Sequence, residues 1–167
     1  MNQQVDGTAG GRNGSPVARK GDRELVATRT FDAPPAAVYR AWSQSGLFQR
    51  WWLPKSASGV SLVSCDLDVR TGGKYRLEFS VDGANTMAFY GKYLDVVPNE
   101  RIVWTNDEGE EGAVTTVTLE DRNGKTLLTF HEIYPSEEAL VEALQGSAAA
   151  LPEQLAQLDA LLSGAGA

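Results

Sequence analysis

The chain has 167 residues, 22 of them acidic and 15 basic, and a formal net charge of -7 at pH 7. That length suits one domain, which buries on the order of 70% of its unfolded surface without staples, and the acidic balance argues against nucleic acid and anionic membranes as partners. A lone cysteine, Cys65, and a lone histidine, His131, exclude an internal disulfide and a structural zinc site; with no apolar run of about 18 residues and no signal-peptide core, the sequence reads as soluble and cytoplasmic.

Residues 1–22 hold five glycines among Gln, Asn, Ser and Lys, with almost no large apolar group, so burial cannot offset the entropy of ordering them. They are expected to be a disordered tail. Gly7, Gly10, Gly11 and Gly14 match neither the dinucleotide nor the P-loop spacing, and no cofactor is expected. A first strand is predicted over 23–31, rich in Val, Thr and Phe; Asp32-Ala33-Pro34-Pro35 then places prolines at a helix start. Val38, Ala41 and Trp42 form one helical stripe, and a second short helix over 46–52 ends before Pro54, because the residue before proline disfavours helical angles.

Six further strands are predicted near 59–69, 73–82, 85–97, 101–106, 113–121 and 125–134. Turn signals separate them, among them Gly72-Gly73, Asp82-Gly83, Pro98-Asn99-Glu100 and Asn123-Gly124. Such short connections build an antiparallel meander. Tyr75, Leu77, Phe79 and Val81 alternate with Lys74, Arg76, Glu78 and Ser80, so one face is apolar and needs a cover. The cover is the C-terminal stripe Leu140, Leu144, Ala148, Leu151, Leu155, Leu158 and Leu162, at spacings of three and four. Gly146 and Pro152 interrupt it, and an interior proline costs about 3 kcal/mol unless the helix kinks or restarts, so a bend is expected between 146 and 152.

This order of elements, together with several motifs, resembles the START-like superfamily, also called SRPBCC. The most similar group within it is the family of the C-terminal domain of the activator of heat-shock-protein-90 ATPase. The motifs are Arg29-Thr30-Phe31-Asp32-Ala33-Pro34 with Val38 and Trp42, then Trp51-Trp52, Asp68-Val69-Arg70-Thr71-Gly72-Gly73, the segment from Gly91 to Pro98, and Arg101-Ile102-Val103-Trp104. Where family members often carry Gly-Met at the helix bend and a second Gly with a bulky residue, this chain has Gly146-Ser147 and Ala150-Leu151. The resemblance covers roughly residues 23–163, leaving 164–167 as a short tail. It implies an α+β helix-grip fold, a seven-stranded antiparallel sheet wrapped around a long C-terminal helix.

The same resemblance implies a pocket between sheet and helix for a small hydrophobic or aromatic molecule. Its candidate ligand contacts are Trp42, Trp51, Tyr75, Phe79, Phe89, Tyr93, Trp104, His131, Leu151 and Leu155. The bend near Gly146 is the expected gate. Alternatives are an interaction with a chaperone or other protein, and an enzyme of the polyketide cyclase or hydrolase kind. The residues themselves leave the aromatic set open between cavity lining and core filling. His131 is the obvious general base, but Glu132 beside it on a strand points to the opposite face and cannot orient it, so a structural role satisfied by a cross-strand neighbour is preferred. Asp66, Asp68 and Arg70 share a face and read as an ion pair near a turn. The acidic run from Asn106 to Gly112 lacks calcium-loop spacing and reads as a mobile hairpin tip.

Overall fold

The computed structural model describes residues 17–106 and 112–164. Eight strands form one antiparallel sheet in the order β1-β2-β8-β7-β6-β5-β4-β3. They are β1 (Val17–Arg19), β2 (Glu24–Phe31), β3 (Val60–Leu67), β4 (Lys74–Val81), β5 (Asn85–Val97), β6 (Arg101–Thr105), β7 (Val114–Arg122) and β8 (Lys125–Ile133). The strand beyond the expected seven is β1, which lies within the segment expected to be a tail. It pairs Val17–Arg19 with Ala27–Leu25 on the open edge of β2; residues 1–16 lie outside the described residues, as do 107–111 of the acidic run.

Between β2 and β3 run α1 (Pro35–Ser43), with Pro34 at its N-cap, and the single turn α2 (Ser45–Phe48). The second helix is shorter than expected, and turn hydrogen bonds carry the chain on to Trp51 and Trp52. The C-terminal stripe is divided into α3 (Glu137–Gln145), a 3-10 turn (Ser147–Ala150) and α4 (Leu151–Leu162). Ser136 starts α3 by accepting the Ala139 amide, an N-cap that satisfies one of the orphan donors of a helix start. Pro152 lies in the first turn of α4, where its missing N–H breaks no helical bond. The expected bend is therefore a restart.

Period-two alternation sets the inner face of the sheet. On β4 it presents Tyr75, Leu77 and Phe79, and on β8 Leu128 and Phe130, all buried. Helices α1 and α4 pack on the β2, β7 and β8 end of this face. Arg29, on the inner face of β2, bonds Asp159 of α4 at 2.8 Å, while Gln154 and Gln157 of α4 donate to the carbonyls of Trp52, Trp51 and Leu53. The helix is thus anchored to both the sheet and the loop after α2. Of the Gly72-Gly73 pair, Gly72 supplies a φ of 90°, whereas Gly73 is there for space, since a Cβ would lie 2.0 Å from the Asp68 carbonyl oxygen.

Leu155 on α4 is fully buried, so Leu155→Ala is expected to lower stability by about 2–5 kcal/mol through lost transfer energy and a residual cavity. Urea unfolding measures it, and a loss below about 1 kcal/mol would mean α4 is not the principal cover of the sheet.

Candidate functional site

A cavity of about 340 Å3 lies between the inner face of β4, β5 and β6 and the segments that cover it. Trp42, Tyr75, Phe79, Phe89, Tyr93, Trp104 and Leu151 converge on its wall, joined by Phe48, Trp52, Leu77, Ile102 and Phe130. Trp42 is the hub of the aromatic group, its ring centroid 4.8 Å from that of Trp51, 6.0 Å from Trp52 and 5.7 Å from Trp104. Edge and tilted contacts of this kind favour a fixed arrangement of rings. The 3-10 turn contributes Ala148 and Ala150, and Met87, itself 46% exposed, carries the wall out to the surface.

Three expected contacts are elsewhere. Trp51 is fully buried in the core with its indole N–H bonded to the Ala41 carbonyl at 2.9 Å, and Leu155 is likewise core. His131 belongs to the outer face of β8, because Phe130 and Glu132 on either side of it face inward. Its Nε2 lies 2.8 Å from Glu24 Oε1 across the strand pair, so the expected cross-strand partner is Glu24. The hydrogen bond from His131, before any other influence, holds the Glu24 carboxyl below the usual carboxylate range. Asp68 and Arg70 form an exposed ion pair at 3.0 Å beside the turn.

The polar residues of the wall are ones the sequence had not singled out for it: Asn106, Glu132 and Gln154. Strand register assembles the first two, since Glu132, Thr115, Trp104 and Tyr93 are successive cross-strand neighbours on β8, β7, β6 and β5. Asn106 Nδ2 donates to the Ala113 carbonyl at 2.9 Å and to Thr115 Oγ1 at 3.1 Å. Thr115 Oγ1 donates to Glu132 Oε2 at 2.6 Å, and the Tyr134 hydroxyl donates to Glu132 Oε1. Tyr75 closes the group by donating to the Thr105 carbonyl at 2.7 Å. Burial, and secondarily the Glu132 carboxylate, push the Tyr134 phenol well above its usual range, so it stays a donor. Tyr93 is raised as well, by burial first.

No group of three or more acidic, histidine or cysteine side chains suited to a metal ion is present among the described residues. Nor is any helix among them long and apolar enough to cross a membrane.

A curved antiparallel sheet held against a C-terminal helix, with an apolar cavity between, defines a helix-grip domain. The chain belongs to the activator of Hsp90 ATPase homolog 1-like family, whose model matches residues 32–163. A crystal structure of a protein from Rhodobacter sphaeroides, 22% identical, superposes with a TM-score of 0.77 over 89% of this chain and 97% of that one. A protein from Chromobacterium violaceum is 29% identical, with a TM-score of 0.65 over 84% and 96% of the two chains. The solution structure of an AHSA1-like protein from Aeromonas hydrophila is 17% identical, with a TM-score of 0.64 over 84% and 94%. Comparison with curated proteins finds no match.

Two outcomes follow from the site. Thr115 is fully buried, and Thr115→Val removes its bonds to both Glu132 and Asn106, so a stability loss of about 1–3 kcal/mol is expected in chemical unfolding; an unchanged midpoint would mean the cluster contributes no stability. On the outer face, His131→Ala should raise the Glu24 titration midpoint toward the ordinary carboxylate value, as followed by carboxyl carbon NMR, because the group that favours its charged form is gone. A midpoint that stays put would dissociate Glu24 from His131.

Proposed function

We propose that this protein binds an apolar or aromatic small molecule in the cavity between the sheet and the C-terminal helices. The observation that carries the reading is the cavity itself: about 340 Å3, walled by aromatic and aliphatic side chains with a few polar groups at one part of the wall. That combination of size and lining is the usual form of a small-molecule site. Apolar surface removed from water supplies affinity at about 25 cal/mol per Å2, and the polar groups orient the ligand. A cytoplasmic setting is part of the same reading.

One specific observation favours a second reading, an enzyme. Glu132 is an ionisable side chain on the cavity wall, and such a group is what proton-transfer chemistry on a bound molecule requires. Binding comes first in either case, so the binding experiment precedes the search for turnover.

Ala148 is buried on the cavity wall, and Ala148→Phe should fill the space. With quenching of the wall tryptophans Trp42, Trp52 and Trp104 by an apolar aromatic compound as readout, the substitution is expected to weaken binding at least about tenfold, a loss of about 1.4 kcal/mol. Undiminished binding would place the ligand elsewhere. Gly146 has room for a methyl group, the nearest atom to its would-be Cβ being the Glu142 carbonyl oxygen at 3.5 Å. Gly146→Ala should stiffen the approach to the 3-10 turn and slow ligand exchange; exchange rates equal to those of the parent would remove the bend as the gate.

A further inference from the structure

Several donors on the cavity wall are matched within the protein. Asn106 Nδ2 donates to the Ala113 carbonyl and to Thr115 Oγ1, Gln154 Nε2 to the Trp52 carbonyl at 2.7 Å, and the Tyr75 hydroxyl to the Thr105 carbonyl. Trp42 differs. Its Nε1 is buried and has no hydrogen-bond partner among the described residues, and the side chain that carries it, 3% exposed, lines the cavity. Trp51, whose ring centroid lies 4.8 Å from that of Trp42, shows the ordinary arrangement, its N–H reaching the Ala41 carbonyl at 2.9 Å.

Buried donors without an acceptor are uncommon in native proteins, because each has given up its hydrogen bond to water without a replacement. The neighbours of Trp42 are rings: Phe48, Trp51, Trp52, Trp104 and Phe130 have centroids between 4.8 and 6.5 Å from its own. Aromatic faces are weak acceptors. A full acceptor therefore has to come from outside this group, and the cavity is the space that the side chain borders. The terminal torsion of an aromatic side chain lies in a broad well, so a slight turn of the indole presents the N–H to an oxygen packed against it. The N–H has already lost its water on folding, so an acceptor that meets it adds a hydrogen bond without a second desolvation of the donor.

We infer that the ligand of this cavity carries a neutral hydrogen-bond acceptor, a ketone or comparable carbonyl oxygen, on an apolar or aromatic body, and that Trp42 Nε1 donates to it. The inference rests on the reading of the cavity as a ligand site and specifies the functional group that the site recognises. Indole is a donor only, with a single uncharged N–H. It matches one carbonyl oxygen, whereas the burial of a carboxylate costs far more than one such bond offsets.

The test compares acetylnaphthalene with isopropenylnaphthalene, substituted at the same ring position, by calorimetric titration of the whole chain. The two have nearly the same shape and differ in a carbonyl oxygen against a methylene group. A ketone buried without a donor binds about tenfold or more weaker than the alkene, because it loses its hydrogen bonds to water; with Trp42 as donor it is expected to bind at least as tightly as the alkene. In heteronuclear NMR of the indole groups, the Trp42 Nε1 proton should move further downfield with the ketone than with the alkene. In Trp42→Phe, which keeps a ring and removes the donor, the ratio of ketone to alkene affinity should fall about tenfold. A ketone bound about tenfold weaker than the alkene by the unsubstituted chain, an indole proton that responds identically to both compounds, or an unchanged ratio in Trp42→Phe overturns the inference and leaves the cavity reading standing. Failure of both compounds to bind overturns the cavity reading and the inference with it. The first two readouts use the unsubstituted chain, so they decide the matter even if the Trp42 variant does not fold.

Discussion

Eight strands at about 4.8 Å spacing make a sheet roughly 34 Å across, whereas α4, with 12 residues, is about 18 Å long and about 10 Å wide. The apolar face that period-two alternation creates is therefore wider than its principal cover. Helices α1 and α4 take the β2, β7 and β8 end. At the other end, the inner residues of β4, β5 and β6 are covered by single large side chains that reach across the gap, as Trp42 of α1 does to Trp104 of β6, ring centroids 5.7 Å apart. Tyr75, Tyr93 and Trp104 from the sheet meet Trp42, Phe48 and Trp52 from the segments around α1 and α2. Rings of this size cannot close such a gap to crystal-like density, and the remaining space is the cavity. Fold, cavity and candidate function descend from one mismatch in width.

Polar groups on this wall follow from the same geometry. A strand that lines a cavity places every second residue on its wall, so a single acidic residue of the correct parity becomes part of the site. Glu132 has that parity and His131 does not. The cost of partly burying a carboxylate is offset by two hydroxyl donors, and charge-assisted hydrogen bonds of this kind are among the stronger ones in proteins. Thr115, fully buried between β6 and β8, passes one of these bonds on to Asn106, so the orientation of the carboxylate is tied to the strand ladder rather than to a mobile loop.

Strand positions were largely legible because the turn residues are explicit: Asp82 and Asn123 adopt positive φ of 56° and 59° beside their glycines, and Asn-Gly and Asp-Gly are the residue pairs such turns require. The short strand β1 carries no such signal, since three residues are too few to show alternation and it is ordered by the open edge of β2. The inward face of β8 was harder to read. Leu127 and Leu128 are adjacent and both apolar, which cancels the alternation at that point; Phe130 and Tyr134, both buried, share the parity of Glu132 and were the available clue. Asn106 belongs by sequence to the acidic run that follows it, whereas its partners are Ala113, just before β7, and Thr115 within it. Gln154 lies in a leucine-rich helix, and its bond to the Trp52 carbonyl, 102 residues away, is a tertiary contact that no local pattern encodes.

The most direct test of the account is a two-dimensional amide NMR titration of the whole chain with pooled apolar and aromatic compounds. The account predicts saturable shifts grouped on the inner-face positions Tyr75, Tyr93, Trp104 and Glu132 and on the segment 146–151, with the outer-face positions Glu24 and His131 unmoved. Shifts confined to the outer face, or no saturable shifts with any pool, would contradict the claim that the space between sheet and helix is a binding site.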